Sequence, residues 1–221
     1  MTFQAAIFDM DGLLLDTERV CMGIFKEACE AQNVPFIEEL YLSIIGCNAK
    51  RIEQLFREGY GPSVDYPALN QEWRVRYTAV VKHEAIPVKE GVIELLEWLK
   101  ANNVPMAVAT STQHDIAIKK LELAGLDGYF DVLATGCEVE HGKPHPEIYF
   151  LAAERLGIAP EVCLAFEDSN NGTRAAVAAN MITYQIPDLV EPSVEVIALG
   201  HHIKPSMIDV LEHLKTQQAK M

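Results

Sequence analysis

From residue 105 onward, short apolar runs alternate with stretches of helical period, and this alternation constrains the fold more than any other feature of the chain. Residues 105–109, 130–134, 162–166 and 182–186 have the length and apolar character of buried strands. Between them, residues 114–124, 145–156 and 172–179 carry apolar side chains at helical spacing, and Gly125 and Gly157 stand where the first two should end. Further helices are expected over 91–100 and 205–215. Short strands separated by helices predict an α/β fold with a parallel sheet covered on both faces. One more apolar run, Ala5-Ala6-Ile7-Phe8, opens the chain. Directly after it the pattern changes, because residues 18–82 read as helices near 18–28, 38–43, 51–58 and 69–82, with no convincing strand. Gly46 and the Gly59-Tyr60-Gly61-Pro62 loop break them, and Asp16 or Thr17 is placed to cap the first. The expected organisation is therefore a core of residues 1–17 and 83–221, interrupted by a helical block over 18–82.

The first apolar run ends in Asp9-Met10-Asp11-Gly12. In an extended chain, side chains two apart share a face, so Asp9 and Asp11 would enter the same space. Open parallel sheets bind ligands at this end of their strands. Two close carboxylates repel unless a cation or a shared proton stabilises them. Alone, the stretch is also what a strand closed by an acidic turn looks like.

The other strand ends answer it. The run ending at Ala109 presents Thr110 and Ser111, and the run ending at Phe166 presents Glu167 and Asp168. Gly142-Lys143-Pro144 holds one lysine in a turn between them. If these strands are neighbours, four carboxylates, two hydroxyls and an ammonium gather in one place. Several carboxylates suit a hard divalent cation, Mg²⁺ above all. Hydroxyl and ammonium donors suit a phosphoryl group, and the whole set suits phosphoryl transfer to a carboxylate.

With these four motifs in this order, the chain resembles the haloacid dehalogenase superfamily of phosphotransferases, and its β-phosphoglucomutase-like group in particular. Residues 8–18, 141–144, 166–172 and 187–188 are similar to those of pseudouridine-5′-phosphatases. The resemblance implies a Rossmann-like core with an inserted α-helical cap domain. It implies a Mg²⁺-dependent phosphomonoester hydrolase acting on a small phosphorylated metabolite, either a sugar phosphate or a nucleotide-like one. Asp9 would attack phosphorus to give an aspartyl-phosphate, and Asp11 would act as general acid and then base. Mg²⁺ would be held by Asp9, the Asp11 backbone carbonyl and Asp168, with Glu167 close by or acting through water. Thr110, the Ser111 amide and Lys143 would hold the phosphoryl group. Specificity would lie in the cap, whose two linkers, near 16–17 and 83–88, permit closure over a cleft lined by Asp9, Asp11 and Lys143.

Composition narrows the partners. The chain has 221 residues and a net charge of −14, which disfavours phosphate backbones and hence nucleic acid. No apolar run has membrane-spanning length, and no export signal is read at the start. Five scattered cysteines without a CxxC pattern point to cytoplasmic thiols. Nothing in the sequence demands more than a monomer.

Blander readings stand beside these. Thr110 could be a strand-end cap, Lys143 a solvated charge, and Glu167-Asp168 the cap of the following helix. His141 and His145 flank Lys143 and are read as solvent-facing, as are His201 and His202. Trp73 and Trp98 are read as packing residues. Lys50, Arg51, Arg74 and Arg76 in the cap read mainly as solvated helix charges. Rival functions are a phosphosugar mutase, a catalytically silent metabolite-binding protein and a dehalogenase; the metal-independent dehalogenases lack the second aspartate and the acidic metal site. For the mutase, β-phosphoglucomutases carry a histidine at the position matching Cys21 and a distal-phosphate arginine at that matching Ala49, in a register anchored by Thr17 and Gly46.

Overall fold

The computed structural model describes residues 3–45, 47 and 49–219, the side chain of Ala49 excepted. Gly46, expected to break a helix, lies outside the described residues. In chain order the elements are β1 (Ala5–Phe8), α1 (Thr17–Ala31), α2 (Glu38–Ile44), α3 (Ala49–Tyr60), α4 (Tyr66–His83), α5 (Val92–Ala101), β2 (Met106–Thr110), α6 (His114–Ala124), β3 (Val132–Thr135), α7 (Glu147–Leu156), β4 (Cys163–Glu167), α8 (Asn170–Ala178), β5 (Ile182–Gln185), α9 (Val194–Ile197), β6 (His202–Ile203) and α10 (Met207–Gln218).

The described strands form one parallel sheet in the order β3-β2-β1-β4-β5-β6. Its strands are apolar because both faces are covered: β1, β2 and β4 are buried throughout. One face packs Phe8, Val108, Leu164 and Phe166 against Leu95, Leu96 and Leu99 of α5 and Val210 and Leu214 of α10. The other packs Ile7, Ala107 and Ala165 against Ile148, Tyr149 and Ala152 of α7 and Ala175 and Ala176 of α8. The chain reverses direction across the sheet at β1, with β2 on one side and β4 on the other, so the ligand crevice of such a sheet lies above β1.

Helices α1–α4 build an apolar cluster of their own. Phe25 lies at its centre, stacked on Phe56 at 5.0 Å and edge-on to Trp73 at 4.8 Å. Trp73 is thus a packing residue. The last turns of α4 leave this cluster, since Val81 belongs to the sheet core and Tyr77 packs against it.

Several local expectations are corrected. Neither Asp16 nor Thr17 caps α1 with its side chain. Asp16 instead accepts from Arg19 at 2.9 Å, and the Thr17 hydroxyl accepts the Gly12 amide at 2.9 Å. Ser169, not Glu167 or Asp168, caps α8, its hydroxyl accepting the Gly172 amide at 3.0 Å. His201, read as solvent-facing, is half-buried with its Nε2 2.9 Å from Gln185 Oε1, whereas His202 is exposed as expected, in the edge strand β6 with its ring stacked on Tyr184 at 4.6 Å. Among the described residues, no helix is long and apolar enough to cross a membrane.

Candidate active site

The parallel register brings the carboxyl ends of three strands level. Phe8 pairs with Val108 on one side and Phe166 on the other, and its ring stacks on Phe166 at 4.6 Å. One residue further, Asp9 stands between Ala109 and Glu167, and its amide continues the ladder to the Phe166 carbonyl at 3.0 Å. Lys143, 134 residues away in sequence, reaches the same point. Its ammonium donates to Asp9 Oδ1 at 2.5 Å, Glu167 Oε1 at 2.6 Å and the Ala109 carbonyl at 3.0 Å. These three bonds use every proton it has, and the side chain is 7% exposed. The turn that delivers it contains a cis peptide before Pro144.

Glu167 is fully buried and wrapped by donors. Besides Lys143, Oε1 accepts from the Tyr149 hydroxyl at 2.6 Å, and Oε2 from Ser169 at 3.3 Å. Gly172 makes room for this carboxylate, because a Cβ there would lie 2.0 Å from it. Asp168 is half-buried, and its Oδ2 lies 2.3 Å from where a Cβ on Gly12 would be.

Oxygens of Asp9, Glu167 and Asp168 all lie within 4.8 Å of one another. Three carboxylates therefore crowd round a single ammonium that bonds two of them. Burial pushes the Asp9 carboxyl up to about 7, with Lys143 opposing and the charges of Glu167 and Asp11 adding to the rise. Asp168 is likewise held well above the usual carboxylate range, first by burial and then by Asp9 and Glu167. A cluster with this excess of negative charge and only oxygen donors fits a hard divalent cation. Glu167 is the most heavily engaged of the three by protein donors, two of them on Oε1 and one, at 3.3 Å, on Oε2, whereas the Asp168 carboxylate has no protein donor among the described residues.

The Asp11 carboxylate turns to a different set of partners. Thr112 Oγ1 donates to its Oδ2 at 2.6 Å and the Lys120 ammonium to its Oδ1 at 2.7 Å. Lys120 also contacts the Tyr77 hydroxyl of α4 at 2.9 Å. Thr110 is buried, with its hydroxyl accepting the Thr112 amide at 3.1 Å, and Ser111 stands exposed at the rim. A cavity of about 140 Å³ adjoins the cluster at Asp168, lined also by Glu18, Ile45, Asn171, Asp188 and Val190. Burial pushes the Glu18 carboxyl up to about 7, with the charges of Asp11 and Asp188 adding. Asp188 is held by Arg19 at 2.6 Å and by Lys89.

All seven residues singled out from the sequence thus sit on the strand ends or on the turn above them. Lys120, Tyr77, Thr112 and Tyr149 were not singled out. Lys120 carries a signal, as it occupies a position within the apolar stripe of α6 formed by Ile116, Ala117, Leu121 and Ala124. The histidines beside Lys143 are exposed as expected, yet His141, His145 and Glu147 lie within 4.8 Å of one another. Of the cations on helices α1–α4, Arg76 is engaged by Glu72 at 2.7 Å and Glu27 at 3.3 Å.

The sequence matches the haloacid dehalogenase-like hydrolase family over residues 3–180. A phosphorylated carbohydrates phosphatase of Thermotoga maritima is 36% identical over 179 residues, covering 80% of this chain and 82% of that one. A Drosophila melanogaster protein described as a probable pseudouridine-5′-phosphatase is 32% identical over 188 residues, covering 82% of this chain and 80% of that one. Among solved structures, a HAD family hydrolase from Deinococcus radiodurans, with bound phosphate and sodium, superposes with a TM-score of 0.84 at 25% identity, covering 96% of this chain and 95% of that one.

Proposed function

The chain belongs to the haloacid dehalogenase-like hydrolases, and from that membership we propose that it is a Mg²⁺-dependent phosphomonoester hydrolase acting on a small phosphorylated metabolite, a sugar phosphate or a nucleotide-like phosphate. The observation that carries this reading is the Lys143 ammonium bridging Asp9 and Glu167 at adjacent strand ends.

Asp9 is the nucleophile. One of its carboxylate oxygens forms a bond to phosphorus as the bond to the leaving oxygen breaks, giving an aspartyl-phosphate. Asp11 donates a proton to the departing oxygen, then takes one from the water that cleaves the acyl phosphate and frees inorganic phosphate. Lys143 keeps Asp9 oriented and offsets charge on the transferring group. Thr110 and the Ser111 amide hold phosphoryl oxygens. Asp9, Asp168 and the Asp11 carbonyl would hold Mg²⁺, with Glu167 behind them through Lys143 or water. The ion, when bound, supplies positive charge between nucleophile and phosphate.

Residues 18–82 act as a cap on a core of residues 1–17 and 83–221, and closure over the site excludes water and limits substrates to small molecules. The protein works as a monomer in the cytoplasm, in keeping with five free cysteines. The test is turnover of 4-nitrophenyl phosphate by the purified protein with and without Mg²⁺. Mg²⁺-dependent release of phosphate, abolished in Asp9→Asn, is expected; equal turnover in that variant would remove Asp9 as nucleophile.

A further inference from the structure

Lys120 is 2% exposed, on a helix that contributes no residue to the Asp9 cluster. Burying an ammonium is costly, and an apolar side chain of similar volume is often as stable or more so in such a place. Packing of α6 therefore does not account for a lysine on its apolar face. Its contacts do: Asp11 Oδ1 at 2.7 Å, the Tyr77 hydroxyl at 2.9 Å, and the Tyr77 ring, whose centroid is 5.5 Å away. Thr112 takes the other Asp11 oxygen at 2.6 Å. A carboxylate with a separate donor on each oxygen has its plane and its side-chain torsions fixed. Thr112 comes from the loop after β2 and Lys120 from α6, both in the sheet-bearing part of the chain. Tyr77 comes from α4, in the helical block between β1 and β2.

We propose that Lys120 is a positioning residue for the Asp11 carboxylate, and that its contact with Tyr77 makes that positioning depend on where the helical block sits. When the block is seated, Tyr77 fixes the lysine, and the lysine fixes Asp11. When the block moves away, the lysine loses its hydroxyl partner and its aromatic face, and Asp11 loses a rigid donor. The inference rests on the reading of Asp11 as general acid and base.

An acid that protonates the leaving group matters most when that group leaves poorly. The value of kcat/KM reports only the steps up to leaving-group departure, so it should be compared for phenyl phosphate and 4-nitrophenyl phosphate in Mg²⁺. Lys120→Met is expected to lower kcat/KM on phenyl phosphate about a hundredfold, and on 4-nitrophenyl phosphate only a few-fold. Tyr77→Phe, which keeps the packing ring, is expected to show the same selectivity with smaller losses. A role confined to folding would lower both substrates alike. Equal losses on the two esters, or no loss on either, in both variants would overturn this inference while leaving the phosphatase reading intact. A wild-type protein that hydrolyses neither ester in Mg²⁺ would overturn that reading and this inference with it.

Discussion

The Asp168 carboxylate occupies the space that a side chain on Gly12 would need: a Cβ there would lie 2.3 Å from Oδ2. Gly12 also has a φ of +81°, a left-handed conformation that costs an L-residue about 1–2 kcal/mol. The glycine of the first loop and the second acid of the distant β4 end are therefore one steric unit. Gly12→Ala is expected to lower stability by at least that amount and to push Asp168 aside. Urea denaturation measures the first effect, and the Mg²⁺ concentration for half-maximal activity measures the second, which should rise. An unaltered Mg²⁺ requirement would mean that Asp168 does not hold the metal.

Lys143 bonds two of the three clustered carboxylates, Asp9 and Glu167, and no other cation among the described residues pairs with any of the three. Removing one partner of a buried ion pair leaves an uncompensated charge and costs about 3–5 kcal/mol. Lys143→Met is expected to lose activity and to unfold at a lower temperature, with Mg²⁺ recovering part of the loss by binding the native acidic cluster. Thermal melts of wild type and variant, each with EDTA and with Mg²⁺, check this. A larger Mg²⁺-induced shift in the variant is the expected result; identical shifts would separate lysine and metal into different sites.

Much of this arrangement was legible in the sequence because it is carried by strand ends. A buried parallel strand reads as an apolar run, and whatever polar residue ends it, such as Asp9, Thr110 or Glu167, is brought to the same edge of the sheet. Helix α6 was expected over 114–124 and is His114–Ala124, because Gly125 adopts the left-handed closing conformation. The edge of the sheet was not legible. The two residues of β6 and the four of α9 are too short for any periodicity to register. Tyr77 was hidden for another reason. Its hydroxyl acts through Lys120, 43 residues away, and a tyrosine on a helix face reads as packing until the partner is known. Lys143 was readable only through its motif, since a lysine in a turn is ordinarily solvated.

A single carboxylate at the end of β3, Glu138, bears on stability and not on chemistry. The Glu138 carboxyl is held down at about 2, first by its bond from Arg155, at 2.7 Å, and then by Thr135, whose hydroxyl donates at 2.6 Å. A carboxyl whose folded pKa lies below its ordinary 4.5 binds protons more readily when unfolded. Its stabilisation is therefore complete above that ordinary value and is lost as pH falls through about 2. Glu138→Gln is expected to cost about 1 kcal/mol at neutral pH. The gap from wild type should narrow steadily in acid, which urea denaturation over that range would show. A constant gap would mean that shape and not charge holds the β3 end.

The last prediction concerns the fate of the aspartyl-phosphate. A mutase must shield it from water and hold a bisphosphate while the sugar turns round, which needs groups that grip the second phosphate. The β-phosphoglucomutases resembled by this sequence use a histidine at the position of Cys21 and an arginine at that of Ala49. Cys21 offers no substitute: burial pushes its thiol up to about 11, so at neutral pH it stays uncharged. Ala49 has no charge to give, and Lys50 and Arg51, next to it on α3, are turned roughly 100° and 200° away round the helix axis. The half of the phosphate grip that would come from these two positions is absent, so water is the expected acceptor. Incubation with β-glucose 1-phosphate, catalytic glucose 1,6-bisphosphate and Mg²⁺ should give inorganic phosphate, if it gives turnover, and no accumulation of glucose 6-phosphate. Formation of glucose 6-phosphate faster than phosphate is released from any substrate tried would show that the acyl phosphate outlives its exposure to water, and that some other cap group grips the distal phosphate.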